Sequence, residues 1–184
     1  MKELSLNILD IAENSLKAGA SLTEIAIEDT ERELTICITD NGCGMSEEML
    51  RSVTDPFCTT RTTRKVGLGI PLFKMAAEQT GGHIELSSKT KAEHPEDHGT
   101  VIKAHFVKDH LDFTPLGDVI STIVTLIQGH PDRDFLFTHK GGSLDVKLDT
   151  RELREILEGI PLDSFEILTW IGDSLKEQYS EKSD

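Results

Sequence analysis

Apolar residues return at steps of three and four near the start of the chain. Leu4, Ile8, Ile11, Ala12 and Leu16 mark one face of residues 3 to 18, which predicts an amphipathic helix stopped at Gly19. The period then falls to two. Leu22 to Glu28 and Leu34 to Thr39 alternate apolar and polar residues around the charged turn DTERE, as two antiparallel strands would. A short helix is predicted at Glu47 to Ser52 within the irregular stretch 40 to 67. Loops of that length inside a compact domain are usually functional or disordered. The helical period resumes from Leu68 to Gln79, with Pro71 tolerable in the first turn and Gly81-Gly82 as the stop, and strands follow at Ile84 to Ser88 and Thr100 to Val107.

From Pro115 the pattern restarts. A helical run to Gln128 precedes two short strands, Phe135 to His139 and Leu144 to Leu148, and two helices introduced by the pairs Asp149 with Glu152 and Asp163 with Glu166. This order suggests a small α/β appendage over 113–184, set beside a first unit at 1–110. Phe135, Phe137, Phe165 and Trp170 are expected mostly in its core.

The chain has 184 residues and a formal charge of −14, shared equally between residues 1–112 and 113–184. Nucleic-acid binding rests on Lys and Arg neutralising phosphates, so a general DNA or RNA partner is not expected. No apolar run approaches a membrane span and no signal peptide is visible, so a cytoplasmic protein without membrane association is expected. Cys37, Cys43 and Cys58 form no C-x-x-C pair, which suits reduced thiols, with Cys37 read as a core strand residue.

Four stretches carry candidate chemistry. Asp40-Asn41-Gly42-Cys43-Gly44-Met45 closes a strand, where a carboxylate can accept from an exocyclic amine and glycines let backbone approach a flat ring; the same residues also make an ordinary turn. Asp10 and Asn14 share a helix face at i, i+4, which suits Mg²⁺ and a water, or simply a solvated surface. Gly67-Leu68-Gly69 opens a helix after Arg61, Arg64 and Lys65, offering N–H groups and cations to phosphate, although no Walker pattern is present. Thr100 at a strand start means little alone. His94 and His98 are read as solvated loop residues.

Taken in order, these stretches resemble the GHKL family of ATP-binding domains, which includes gyrase B, MutL proteins, chaperone ATPases, sensor histidine kinases and anti-sigma-factor serine kinases. The resemblance spans residues 4 to 108. Glu13-Asn14-Ser15-Leu16, Ala18-Gly19-Ala20 and Asp40 to Met45 look most like MutL, whereas Pro56 to Arg61 and Gly67 to Gly82 look most like histidine kinases. The resemblance implies ATP and Mg²⁺ as cofactors and an α/β (α+β) two-layer sandwich, with helices on one face of a mixed sheet. It assigns Asn14 to the Mg²⁺, Asp40 to the adenine amino group with Gly42 and Gly44 beside the base, Phe57 to the lid, and Thr100 to the adenine end. Gly67, Leu68 and Gly69 form the second glycine box toward the phosphates, with Arg64 and Lys65 just before it.

Two departures bear on function. Hydrolysing members carry Glu where this chain has Asp10, one methylene shorter, so hydrolysis is expected to be slow or absent. No phosphoacceptor hairpin is expected upstream, as the chain opens on the nucleotide helix. With only 22 residues between Gly44 and Gly67 the lid is short and kinase-like. The expected function is therefore an ATP-dependent protein kinase or switch acting on a partner protein, with a simple ATPase using Asp10 or a non-catalytic interaction protein as alternatives. The whole chain also resembles stand-alone ATP-binding proteins associated with hydrogenases or other redox enzymes, which suggests such a complex as partner.

Overall fold

The computed structural model of the chain describes residues 3–54 and 68–181. Its elements run α1 (Leu4–Lys17), β1 (Leu22–Asp29), β2 (Glu33–Asp40), α2 (Glu47–Val53), α3 (Gly69–Glu78), β3 (His83–Lys89), β4 (Gly99–Val107), α4 (Val119–Gly129), β5 (Asp134–Gly141), β6 (Leu144–Asp149), α5 (Thr150–Leu157) and α6 (Phe165–Ser180). All six strands belong to one sheet, ordered β3-β4-β2-β1-β5-β6, mixed because β1 and β5 run parallel while the other neighbours are antiparallel.

Alternation along the strands sends one set of side chains to a common face. One row crosses the whole sheet as Leu86, Ile102, Ile38, Ile25, Phe137 and Leu148. Helices α1, α3, α4 and α6 cover this face, each adding buried residues to the same core, such as Ile8, Phe73, Ile123 and Ile171. Each such side chain contributes roughly 1.5–3 kcal/mol by leaving water. The opposite face carries Glu24, Thr35, Lys103 and Glu85, in agreement with a two-layer arrangement.

The row at one end of the covered face is different in kind. It reads Ser88, Thr100, Asp40 and Thr23, polar on four adjacent strands. Polar groups on a face otherwise packed with Ile and Phe must find partners, and this end of the sheet is where the candidate site forms.

Several sequence expectations shift. The helix expected from Pro115 begins only at Val119, because the Pro115 and Leu116 carbonyls instead accept from the Leu4 and Ser5 N–H groups, orphan donors of the first turn of α1. Asp118 then caps α4 by accepting from Ser121 N at 2.9 Å. Helix α6 has Ser164, one residue past Asp163, in its N-cap position, and the Ser164 side chain makes no capping hydrogen bond. Strands β5 and β6 extend the sheet beside β1, so the tail shares the sheet of the first unit. Phe135 and Phe137 are buried, but Phe165 and Trp170 are 80% and 54% exposed, against the expectation for them. Cys37 departs too: it is half-buried on the open face, since its neighbours Ile36 and Ile38 take the core side.

Candidate functional site

A cavity of about 500 Å³ lies between α1 and the polar end of the sheet, lined by Asn14, Ser15, Lys17, Asp40, Gly44 and Thr100 among polar or backbone contributors, and by Ile38, Met45, Met49 and Ile102 among apolar ones. Its shape follows from β2 ending at Asp40 under the C-terminal half of α1. The apolar wall suits a flat ring, and the polar groups converge on its edges.

Asp40 is held from two sides. Ser15 donates its hydroxyl hydrogen to Asp40 Oδ2 at 2.6 Å, and Gly42 N–H donates to Oδ1 at 2.9 Å. Both oxygens keep a further lone pair, so the carboxylate is oriented and still able to accept from a ligand. The next residue serves the backbone instead, since Asn41 Oδ1 accepts from the Ser21 and Leu22 N–H groups and so ties the end of β2 to the turn between α1 and β1.

The loop that follows is tied down at both ends. Cys43 N–H donates to Ala18 O at the end of α1, and Lys91 N–H donates to Cys43 O from the β3–β4 connection. Gly44 adopts φ +71° with its α-carbon pressed on Lys89, where an added Cβ would sit 1.9 Å from the carbonyl oxygen. Gly42 is also confined, its missing Cβ lying 2.9 Å from Ala18 Cβ. These glycines thus let the loop pass between helix and hairpin.

Across the sheet, Thr100 is the register partner of Asp40. Ser88 Oγ donates to Gly99 O at 2.8 Å and accepts from Met45 N–H at 2.8 Å. Its one hydrogen is therefore spent, and the 2.9 Å contact with Thr100 makes Thr100 the donor, leaving the Thr100 lone pairs for the cavity. His98, expected as a solvated loop residue, instead brings Nδ1 to 2.6 Å from Gly42 O, where a ring N–H is the donor.

At the other end of the cavity, α3 starts against α1. A Cβ on Gly69 would lie 3.3 Å from Asp10 Cβ and 3.4 Å from Asn14 Nδ2, so the absence of a side chain permits the approach. Among the described residues helix α3 has no side-chain cap and no acidic residue in its own first turn, so its N-terminal end faces α1 at Asp10 and Asn14.

The structure therefore brings Asn14, Asp40, Gly44 and Thr100 to one cavity, with Gly42 behind Asp40 and Gly69 against Asn14. Asp10 is exposed and is not part of the cavity wall among the described residues. Leu68, at the N-cap of α3, is 64% exposed and also outside that wall. Phe57, Arg64, Lys65 and Gly67, with Cys58 and Arg61, lie outside the described residues. Sequence reasoning missed Ser15 and Ser88. Ser15 was visible only as the neighbour of Asn14, and Ser88 only through its register opposite Thr100.

The match to known families agrees with this arrangement. Residues 2–110 match the model of the histidine kinase-, DNA gyrase B- and HSP90-like ATPases. The chain belongs to this ATPase family. Among curated relatives of this family, the tetrathionate sensor histidine kinase TtrS of Salmonella typhimurium is 31% identical over 103 residues, 56% of this chain and 17% of that protein. Sensor protein KdpD of Clostridium acetobutylicum is 31% identical over 94 residues, 48% of this chain and 10% of its own length. The chain thus spans less than a fifth of either relative. The MutL ATPase domain of Aquifex aeolicus, solved in complex with ADP, has the same fold at 17% identity, with a TM-score of 0.56 over 86% of this chain and 70% of that one. That likeness in fold extends past residue 110 into the tail. Membership supports ATP binding. No helix among the described residues is long and apolar enough to cross a membrane.

Proposed function

We propose that the chain binds Mg-ATP in this cavity and acts as a protein kinase or nucleotide-dependent switch on a partner protein. The observation that carries the reading is the doubly held Asp40 carboxylate, with a free lone pair on each oxygen at the end of an apolar slot. An adenine amino group needs such an acceptor, and Thr100 supplies a second polar edge.

Asn14 beside the uncapped start of α3 suits the phosphate end, since its amide oxygen is a hard ligand for Mg²⁺ and the α3 N–H groups favour anions. Bound Mg²⁺ would neutralise charge on the phosphates. Gly67, Leu68 and Gly69 with Arg64 and Lys65 complete that end in this proposal, and Phe57 belongs to the lid. Residues 1–110 form the nucleotide unit and 113–184 an extension whose β5 pairs with β1, the strand joined to α1 by the turn that Asn41 fixes. A change at the site has a direct route to the tail, and through it to a cytoplasmic partner such as a redox enzyme.

Hydrolysis with Asp10 as base is the second reading. Asp10 lies against Gly69 at the proposed phosphate end, and its side chain, one methylene shorter than the family's Glu, favours signalling over turnover. Calorimetric titration with ATP, with and without Mg²⁺, followed by tracking of labelled γ-phosphate, tests both. Tight Mg-dependent binding without phosphate release supports the switch or kinase; release that disappears in Asp10→Asn supports the ATPase. Absence of ATP binding by the folded chain refutes both.

A further inference from the structure

On the face of the sheet turned away from the helices, His83 on β3 stands directly opposite His105 on β4, and Glu85 lies two residues along β3 on the same side. Among the described residues this is a group of three side chains whose ligand atoms all lie within 4.8 Å of one another. The imidazoles stack with centroids 4.4 Å apart and planes 15° from parallel. Glu85 Oε1 lies 3.5 Å from His83 Nε2 and 3.3 Å from His105 Nε2. Glu85 faces Lys103 in register, yet it turns this oxygen toward the imidazoles.

We infer that His83, Glu85 and His105 form a binding site for a divalent transition-metal ion, Zn²⁺ by its ligand chemistry, with water in the remaining position. Zn–N and Zn–O bonds of roughly 2.0–2.1 Å in a tetrahedron set ligands about 3.3–3.4 Å apart, which Glu85 Oε1 meets with His105 at 3.3 Å and approaches with His83 at 3.5 Å. Two imidazoles and one carboxylate exclude Mg²⁺ and Ca²⁺, which take oxygen donors, and match the three-ligand zinc sets that leave a position open.

A second observation points the same way. Thr35 on β2 holds His105 from behind, its Oγ1 3.3 Å from Nδ1, and a ring that donates this Nδ1–H presents a lone pair at Nε2. That Nε2 is shielded from water and makes no hydrogen bond, although it faces the Glu85 carboxylate. In that tautomer the Nε2 lone pair and the carboxylate oxygen 3.3 Å away repel unless a proton or a metal ion stands between them, and the second imidazole on the same oxygen suits the metal. His83 and Glu85, 61% and 63% exposed, have the freedom to close on an ion, while His105 at 23% is the fixed ligand. A bound ion would tie edge strand β3 to β4 at the end of β3 remote from Ser88, so it is separate from the nucleotide cavity.

Titration of the nucleotide-free full chain with ZnCl₂ against a competing chromophoric chelator tests the site, with thermal unfolding as a second readout. One Zn²⁺ per chain and a rise in Tm are expected for the wild type. His83→Ala and Glu85→Gln change exposed side chains without disturbing the core and should each weaken binding by about tenfold or more, and Thr35→Val by roughly 10–100-fold through loss of the oriented ring. All of them keep the same cysteines, so thiol binding cancels in the comparison. No binding by the wild type, or affinities equal in wild type, His83→Ala and Glu85→Gln, would overturn the assignment.

Discussion

Ser15 and Asp40 are 25 positions apart in sequence and are joined by a hydrogen bond of 2.6 Å, from the hydroxyl of α1 to the carboxylate that ends β2. Ser15 is buried and Asp40 half-buried, so the bond works in an environment of reduced dielectric and fixes which way the carboxylate faces. The adenine-end acceptor is in this sense assembled by helix and sheet together.

Removing that hydroxyl should cost nucleotide affinity without removing the acceptor. Hydrogen bonds to charged groups contribute about 1.5–3 kcal/mol, so Ser15→Ala is expected to weaken ATP binding by about tenfold or more if Asp40 must be held in place. Asp40→Asn replaces an oxygen acceptor by a donor and should abolish the preference for ATP over GTP. Competition against a fluorescent ATP analogue reads both effects; a Ser15→Ala protein with wild-type affinity would show that Asp40 needs no support.

At the phosphate end, Asn14→Ala should greatly reduce Mg-dependent ATP affinity and leave the fold intact, because Asn14 is only half-buried. Calorimetry with and without Mg²⁺ separates the two contributions. Loss of affinity that is the same in EDTA as in Mg²⁺ would move Asn14 from the metal to direct contact with the nucleotide.

The loop glycines make a prediction about stability. Gly44→Ala combines a left-handed backbone with a Cβ placed 1.9 Å from Lys89 O, so the loop or the hairpin must shift, at a cost of about 2–4 kcal/mol. Gly19→Ala has a similar φ, +80°, but open space around the added carbon, and should cost only about 1–2 kcal/mol. Urea unfolding midpoints compare them. Equal losses would mean that backbone conformation alone, and not the approach to β3, constrains Gly44.

Much of this fold was legible in the residue pattern because period two and period 3.6 are both clean where one face is buried. Ile25 and Ile27 against Ile36 and Ile38 fix β1 and β2, and the alternation that ends at Asp40 already places its side chain on the same face as Ile38. What the pattern did not contain was long-range pairing. Nothing local says that β5 adds beside β1, that Ser88 lies next to Thr100, or that His83 meets His105 across β3 and β4. The start of α4 was misplaced for a related reason: Pro115 is a good first-turn residue, but its carbonyl is claimed by the N-terminus of α1, more than a hundred residues earlier.

The tail supplies a pH dependence. His139 on β5 sits in a row of otherwise apolar residues, flanked by Ile27 and Val146, with its Nδ1 2.7 Å from the Tyr179 hydroxyl on α6. Burial holds its pKa below the ordinary 6.5; the pull of Asp29 upward is smaller than burial, and Lys108 adds a further push downward. Burial likewise pushes the Tyr179 phenol up, so both partners are neutral in the folded chain at neutral pH. Because the folded pKa lies below the unfolded one, the unfolded chain binds the proton more readily. His139 therefore leaves stability undiminished above pH 6.5 and reduces it as pH falls from 6.5 toward the lower folded value. Urea unfolding at pH 7.5 and 5.5 should show a loss at the lower pH that shrinks in His139→Gln, where nothing titrates. His139→Gln is expected to be less stable than wild type at pH 7.5, since an amide replaces a ring packed between Ile27 and Val146, so the diagnostic quantity is the difference between the two pH values within each protein. An identical pH dependence in wild type and variant would assign the acid sensitivity to other groups.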